Sequence, residues 1–270
     1  MRKLRIYLPF ALNELKSQMA YRGAHFIFMF ISTFGVFISY FLWTAIYGSS
    51  SAGMLGGLSY SEMVVYIFMA YVTGFTAVSL SEWVAYDVVK GTVAMQLIKP
   101  MDYRLSLVSR ATGLMLYRFL APSVWIWIGM EVYKFFVMGV AFTPISNVLF
   151  YLISCIMSFL IYVLFDFCIG MVAFFTNYVF GLYMVKESLM SFLTGQLIPL
   201  SFFPGIVQKL FEFLPFSSMV YTPVMIYLGK YSGYDLAFVL LRQLVWVGLL
   251  YGLGSLIWRL VVKRLTVLGG

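Results

Sequence analysis

The chain has 270 residues, of which 63% are hydrophobic and only 10% charged, and its mean hydropathy is +0.95. Soluble domains are about half apolar and about a quarter charged, so this composition excludes a soluble protein and indicates one that crosses a membrane several times. The net charge of +8 does not indicate nucleic acid binding, because Lys and Arg in so apolar a chain are expected to gather in cytosolic loops.

The first predicted element is an amphipathic helix within residues 1–22. Apolar side chains recur at three- and four-residue steps from Leu4 to Met19, while Arg5 and Lys16 fall on another face. Such a helix lies in the plane of the lipid headgroups, with its basic residues near anionic lipid. We therefore predict an interfacial helix here, with a cytosolic extension of the first span as the alternative.

Long apolar runs predict six transmembrane helices, because about 20 apolar residues cross the hydrocarbon core of a bilayer. Residues 201–234 are also apolar, but Pro204, Pro215 and Pro223 rule out a continuous spanning helix and predict short re-entrant helices in the outer leaflet. The predicted fold is thus an all-α membrane protein with a single transmembrane domain over 1–270. The predicted spans are 24–47, 61–80, 108–135, 147–174, 179–200 and 235–260.

The distribution of basic residues predicts the orientation of these spans. With six spans, both termini and the segment 81–104 lie on the same side of the membrane. That side holds most of the basic residues that lie outside the spans or at their ends, and by the positive-inside rule it is the cytosol. These residues are Arg2, Lys3, Arg5, Lys16, Arg22, Lys90, Lys99, Arg104, Arg259, Lys263 and Arg264.

The segment 81–104 is a polar interruption between the second and third predicted spans. It contains six charged side chains, and Gly91 and Pro100 act as helix breakers. A segment of this length is too long for a tight turn and too short for a domain. We predict that it contacts another protein, with an ordinary solvated loop as the alternative.

Charged residues inside predicted spans mark a second candidate site, because a charge in the hydrocarbon core is costly. Asp166 precedes the turn between spans 4 and 5 by about as many residues as Lys186 and Glu187 follow it. In an antiparallel hairpin these residues reach the same depth, roughly 13 Å from the turn. We therefore predict an Asp166–Lys186 pair, leaving Glu187 for Arg118 or for a partner chain. A purely structural role for the pair is the alternative.

Motifs for chemistry are missing from the sequence. The pair Gly229-Lys230 lacks the upstream glycine of a nucleotide-binding P-loop. One histidine and no Cys/His cluster argue against a catalytic metal. We therefore expect no enzymatic activity and no cofactor bound by this chain.

The order of these features resembles a permease of a type-2 ABC exporter, the transmembrane subunit of a bacterial ATP-driven transporter. Two stretches carry the resemblance: DVVKGTVAMQLIKPMDYRLSLVSR after the second span, and KESLMSFLTGQLIPLSFFPGIVQKLFEFLPFSSMVYTPVMIYLG in and after the fifth. Within that family the chain looks closest to drug-resistance-type permeases that work as non-identical pairs.

The resemblance implies two permeases and two ABC ATPase subunits, with ATP and Mg²⁺ bound at the ATPases, in the cytoplasmic membrane. It also implies a coupling helix within Ala85–Pro100 that enters a cleft of the ATPase. Its expected polar contacts are Asp87, Lys90, Thr92, Gln96 and Lys99. Its expected apolar anchors are Val88, Val93 and Leu97, and its two helix breakers are Gly91 and Pro100.

By resemblance, spans 2 and 5 line the transport path, and the predicted lining residues are Phe68, Tyr71, Gln196 and Leu200. Two other functions stay open. An ion-coupled secondary transporter would use Asp166 and Glu187 as titrating groups, although six spans and no evident inverted repeat argue against it. A non-transporting membrane scaffold would tolerate changes in 87–100.

Overall fold

The computed structural model describes residues 4–20, 22–176 and 180–263, and this part of the chain is almost wholly helical. Its one sheet is a hairpin of two short strands, β1 Met54–Leu55 and β2 Leu58–Ser59. The all-α prediction is therefore confirmed for the described residues. Their α-helices are α1 Leu8–Ala20, α2 Arg22–Ser49, α3 Tyr60–Gly74, α4 Leu80–Val89, α5 Thr92–Leu97, α6 Tyr103–Arg118, α7 Val124–Phe136, α8 Ile145–Gly170, α9 Phe180–Leu193, α10 Gly205–Phe213, α11 Tyr221–Tyr227 and α12 Gly233–Val261.

Four described helical segments are long and apolar enough to cross a membrane. They correspond to the predicted spans 1, 3, 4 and 6, and their bounds differ from the predicted ones by a few residues. Two of them combine neighbouring elements, since α6 and α7 form one segment and a 3₁₀ turn extends α8. The four segments are Phe26–Ser49, Tyr103–Phe136, Ile145–Phe174 and Gly233–Val261.

The other two predicted spans are not continuous helices. α3 has 15 residues and α9 has 14. At 1.5 Å per residue they are about 21–23 Å long, short of the roughly 30 Å hydrocarbon core. The prediction of one helix over 61–80 is wrong, because α3 ends at Gly74 and irregular chain separates it from α4. In 179–200 the helix likewise ends at Leu193, and residue 179 lies outside the described part of the chain.

A π-helical turn, Phe119–Ser123, joins α6 to α7 within one long segment. Pro122 lies inside it and has no N–H to donate to the carbonyl of Arg118, four residues earlier. The Ser123 hydroxyl replaces that donor, at 3.0 Å from the Arg118 oxygen. The segment therefore continues past a proline, with a local widening at Arg118.

The helix α1 packs along α6, as shown by the contact between Ala11 and Gly113. A Cβ built on Gly113 would lie 2.1 Å from the backbone oxygen of Ala11, so only glycine fits there. Arg110 on α6 pairs with Glu14 at 2.6 Å. Leu8, Leu12 and Met19 are exposed, and the position of this helix at the lipid headgroups stays a prediction. Residues 1–3 and 21 of the predicted helix lie outside the described chain.

The central element of the core is α8, which packs against α4, α11 and α12. Between α9 and α12 the chain forms a 3₁₀ turn at Leu200–Phe202 and the short helices α10 and α11. Pro199 and Pro204 directly precede the turn and α10, positions where a missing N–H costs little. The helices are thus short, as the prolines predict, and their depth in a membrane stays a prediction.

Candidate functional site

A polar cavity of about 340 Å³ lies where α3 and α9 end. Residues of the irregular segment 75–79 form part of its wall. Irregular backbone at membrane depth is tolerated only where protein covers it or where it lines a water-filled space. A position beside this cavity is therefore one where the irregular segment after α3 can be tolerated. Its polar lining residues are Thr73, Thr76, Ser79, Glu82, Arg118, Ser158, Tyr162, Glu187, Ser191, Thr194 and Gln196.

Arg118 is held at the cavity wall by the broken chain itself. Its Nη1 donates to the backbone oxygen of Ala77 at 2.6 Å. That carbonyl is free to accept because α3 has ended and α4 has not begun. The break in the second predicted span thus supplies the partner for a charge in the third. Glu187 was predicted to pair with Arg118 or with a partner chain; it forms no ion pair with Arg118 within 4 Å, although both side chains line the same cavity.

Asp166 on α8 and Lys186 on α9 form an ion pair beside the cavity. Both are almost fully buried, at 1% and 7% exposure. The second carboxylate oxygen of Asp166 accepts the backbone N–H of Ser81 at 2.6 Å. Lys186 also donates to the hydroxyls of Ser79 and Ser81, at 3.0 and 3.1 Å. The predicted pair is present. It also holds the first turn of α4 in place, a role that the sequence did not indicate.

Glu187 pairs with Lys186 at 2.8 Å, although the two are adjacent in sequence. Its side chain is half exposed, and it accepts a hydrogen bond from the Tyr162 hydroxyl at 3.3 Å. Lys186 therefore bridges a buried carboxylate and a carboxylate at the cavity surface.

The four predicted path residues differ in position. Gln196 lines the cavity and packs against Gly74, where a built Cβ would lie 2.5 Å from its Nε2. The hydroxyl of Tyr71 forms a hydrogen bond with the hydroxyl of Ser39 on α2, at 2.9 Å. Phe68 packs on aromatic rings of α2, and Leu200 is fully buried in the core. Only Gln196 of these four lines the cavity.

The predicted coupling segment forms two helices, α4 and α5, joined at a left-handed glycine. Gly91 has φ of 72°, a conformation that strains any residue with a Cβ. Asp87 accepts from the hydroxyls of Thr92 and Tyr103, each at 2.8 Å. These bonds tie α4 to α5 and to α6. Asp87 and Thr92 were predicted to contact a partner, but here their side chains form hydrogen bonds with residues of the same chain.

The exposed face of this helix pair differs from the predicted one. Val93 is buried and Val88 half-buried, so neither supplies the free apolar anchor that the sequence predicted; Leu97 is exposed. Gln96 accepts from Lys99 at 2.7 Å. We call the exposed side chains on this face the α4–α5 surface; they are Tyr86, Val89, Lys90, Met95, Leu97, Ile98, Lys99 and Pro100.

Asp102 begins α6 and stabilises its first turn. Its carboxylate accepts the backbone N–H groups of Arg104 and Leu105, at 2.8 and 3.3 Å, and the Arg104 guanidinium at 3.0 Å. Burial acts to raise the pKa of Asp102, but these bonds outweigh burial and hold the pKa below its ordinary value. The charged carboxylate is therefore the form that the folded chain favours.

The low pKa of Asp102 makes the stability of this junction depend on pH. Its stabilising effect is present above the unfolded pKa of about 3.9 and is lost as pH falls through the lower folded value. We expect Asp102→Asn to lower Tm at pH 7 and the difference from wild type to shrink as pH falls below about 4. Thermal unfolding in detergent across this range checks it, and a difference that stays constant with pH would contradict it.

Comparison with known families decides the class of this membrane protein. The family model described as ABC-2 family transporter protein matches residues 34–269. The chain belongs to the ABC-2 transporter family. It is thus a transmembrane permease of an ABC transporter, and its family is one of transport domains and not of catalytic ones. No curated protein sequence matches the chain.

Several residues of this ABC-2 permease site were missed by sequence reasoning. Thr73, Thr76 and Ser79 lie within or at the end of an apolar run, so average hydropathy hides them. Their clustering with Gly74 was the available signal, because such residues seldom continue a helix without a reason. Tyr86, Val89, Met95 and Ile98 could not be assigned, because the bend at Gly91 decides which side chains stay exposed.

Proposed function

We propose that this chain is the permease subunit of an ATP-driven exporter in the cytoplasmic membrane, with both termini cytosolic. ABC ATPase subunits would bind ATP and Mg²⁺ and dock on the α4–α5 surface, and a second permease, identical or different, would complete the path. The observation that carries the proposal is the direct connection of this surface to the wall of the polar cavity through α4. The substrate is unidentified.

The connection runs through the first turn of α4. The backbone N–H of Ser81 is bonded to Asp166 on α8, and its backbone oxygen accepts from the Tyr183 hydroxyl on α9 at 2.9 Å. Lys186 joins the same turn through two serine hydroxyls. A displacement of α4 would therefore move α8 and α9 with it. This is how closure of an ATPase would reach the cavity by rigid-body movement.

We further propose that α3 and α9 complete the predicted six crossings as interrupted spans. In transporters, helices that break near the middle of the membrane place backbone groups and polar side chains at the substrate site. The cavity has this character, because α3 and α9 both end at it. Its mixed charges, Arg118 with Glu82 and Glu187, favour a polar ligand over a purely apolar one.

The α4–α5 surface has the composition of a protein interface. Tyr86, Met95 and Ile98 are large exposed side chains, and Lys90 and Lys99 are exposed on the same two-helix segment. Large apolar and aromatic side chains at the centre of an interface carry most of its binding energy, and charges at the rim add specificity. Asp87 braces this surface from within and is not itself a contact.

Co-purification with single surface substitutions tests this docking. Ile98→Asp places a charge on the α4–α5 surface, where Ile98 is 76% exposed. Tyr234→Asp is the matched control, since Tyr234 is 85% exposed at the start of α12, outside the predicted span 235–260. We expect an ABC ATPase to copurify with wild type and with the control, and its recovery to fall at least about tenfold with Ile98→Asp. Equal recovery with both variants would contradict docking at this surface, and a scaffold would recover no ATPase at all.

The ion-coupled alternative gains no support from the surroundings of Asp166. A titrating carrier must exchange protons or ions with water during its cycle. Asp166 is 1% exposed, and both carboxylate oxygens are bonded within the chain.

A further inference from the structure

The helices α10 and α12 enclose a groove of about 550 Å³ that is separate from the polar cavity. Its walls are mainly apolar, with Phe213 on α10 and Phe238, Trp246 and Leu249 on α12. The indole N–H of Trp246 donates to the backbone oxygen of Phe213 at 3.1 Å and holds the two helices together. The groove is open along a face of α12 whose side chains are largely apolar and exposed.

Two cations lie in this groove, Arg242 on α12 and Lys209 on α10. Arg242 donates to the Thr222 hydroxyl at 3.1 Å, and its Nε is buried without an acceptor among the described residues. Lys209 is exposed, and neither cation forms an ion pair within 4 Å in the described chain. Glu212 also lines the groove and accepts from Gln208 at 2.8 Å. The groove therefore carries a net positive charge.

Along α12, Arg242 lies within side-chain reach of the membrane boundary. Arg242 is nine positions after Gly233, the first residue of α12, which is a distance of about 14 Å along the helix. The 29 residues of α12 extend about 43 Å, beyond both ends of a roughly 30 Å hydrocarbon core. If α12 is centred in the bilayer, the Cα of Arg242 lies about 7 Å inside the hydrocarbon core, a depth from which a long basic side chain reaches the headgroup region.

We propose that this groove binds one anionic phospholipid of the surrounding bilayer. Its phosphate would lie between Lys209 and Arg242, and an acyl chain would run along Phe238, Trp246 and Leu249. A cationic site at the end of an apolar channel matches a molecule with a negative head and a long hydrocarbon tail. The proposal requires only that α12 crosses the membrane, so it does not rest on the direction of transport or on the ATPase.

Quenching of Trp246 fluorescence by brominated lipid tests the proposal. The full chain, with or without Trp246→Phe, is reconstituted in phosphatidylcholine bilayers that contain a minor fraction of brominated phosphatidylglycerol or brominated phosphatidylcholine. The difference between the two chains isolates Trp246 from the other five tryptophans. We expect brominated phosphatidylglycerol to be preferred about fivefold for each cation that contacts it.

Charge variants assign the preference to the groove. Arg242→Gln should remove most of it, Arg242→Lys should retain it, and Lys209→Gln, an exposed position, should lower it even if Arg242→Gln does not fold. Lys230→Gln is the control, because Lys230 pairs with Glu62 at 2.6 Å and does not line the groove. Equal quenching by both lipids, or a preference unchanged by Lys209→Gln and Arg242→Gln, would overturn the proposal. Absence of any Trp246 quenching would also overturn it, since another protein chain would then cover the groove.

Discussion

Lys186→Met is expected to destabilise the permease more than any other single change in the charge cluster. Asp166, which is 1% exposed, would then keep the hydrogen bond from the backbone N–H of Ser81 but would have no cation beside it. Removing one partner of a buried ion pair costs about 3–5 kcal/mol, because the remaining charge stays desolvated. Thermal unfolding in detergent, followed by the monodisperse fraction after heating, measures the loss.

Removal of the other partner, Asp166→Ala, should lower stability less. Lys186 would still pair with Glu187, which lies 2.8 Å away and is half exposed at the cavity. The double variant Asp166→Leu with Lys186→Met should recover most of the stability, since apolar residues of similar size often replace a buried pair at little cost. Additive losses in the double variant would contradict the pairing as an energetic unit.

Gly113→Ala is expected to detach α1 from α6. The new Cβ would lie 2.1 Å from the backbone oxygen of Ala11, and no side-chain rotation relieves a contact with backbone. Overpacking of this kind costs about 1–3 kcal/mol, and here it also strains the Glu14–Arg110 ion pair. The Arg110 guanidinium carbon lies 4.1 Å from the centre of the Trp83 ring on α4. We therefore expect the displacement of Arg110 to disturb the packing of α4 as well.

Gly129→Ala is the matched control for Gly113→Ala. Gly129 lies in α7, in the same long helical segment, and a Cβ there meets nothing within 4 Å. Its replacement should be neutral or stabilise by about 0.5–1 kcal/mol, since alanine favours a helix over glycine. Thermal unfolding and protease sensitivity of the first 20 residues distinguish the two variants. Similar behaviour of both would mean that α1 does not pack on α6 through Gly113.

The parts of the fold that sequence could predict depend on local regularity. The Asp166–Lys186 pair follows from a constant rise along two helices joined by a short turn. The short helices between 200 and 233 follow from the fixed geometry of proline. Both inferences need only neighbouring residues, and the structure forms the pair and the short helices where they were predicted.

The parts that sequence missed depend on contacts between distant residues. The break after Gly74 is stabilised by the bond from Arg118 to Ala77, which joins two predicted spans and leaves no periodic signal. The Asp87–Tyr103 bond likewise turns a predicted partner contact inward. Hydropathy averaged over a window detects apolar length but not the place where a polar wall interrupts it.

We propose that an ATPase acting through α4 opens the polar cavity, and cysteine labelling of the cavity wall is a direct test. Ser191→Cys is introduced on α9 at the cavity wall, in a chain whose native Cys155 and Cys168 are replaced by alanine. The purified complex is reconstituted in bilayers and treated with a membrane-impermeant maleimide, with and without trapped ATP. We predict a labelling rate that changes severalfold with nucleotide in the complex, and no nucleotide effect in the Ile98→Asp permease, which has lost the ATPase. A rate that is the same in both nucleotide states would contradict it.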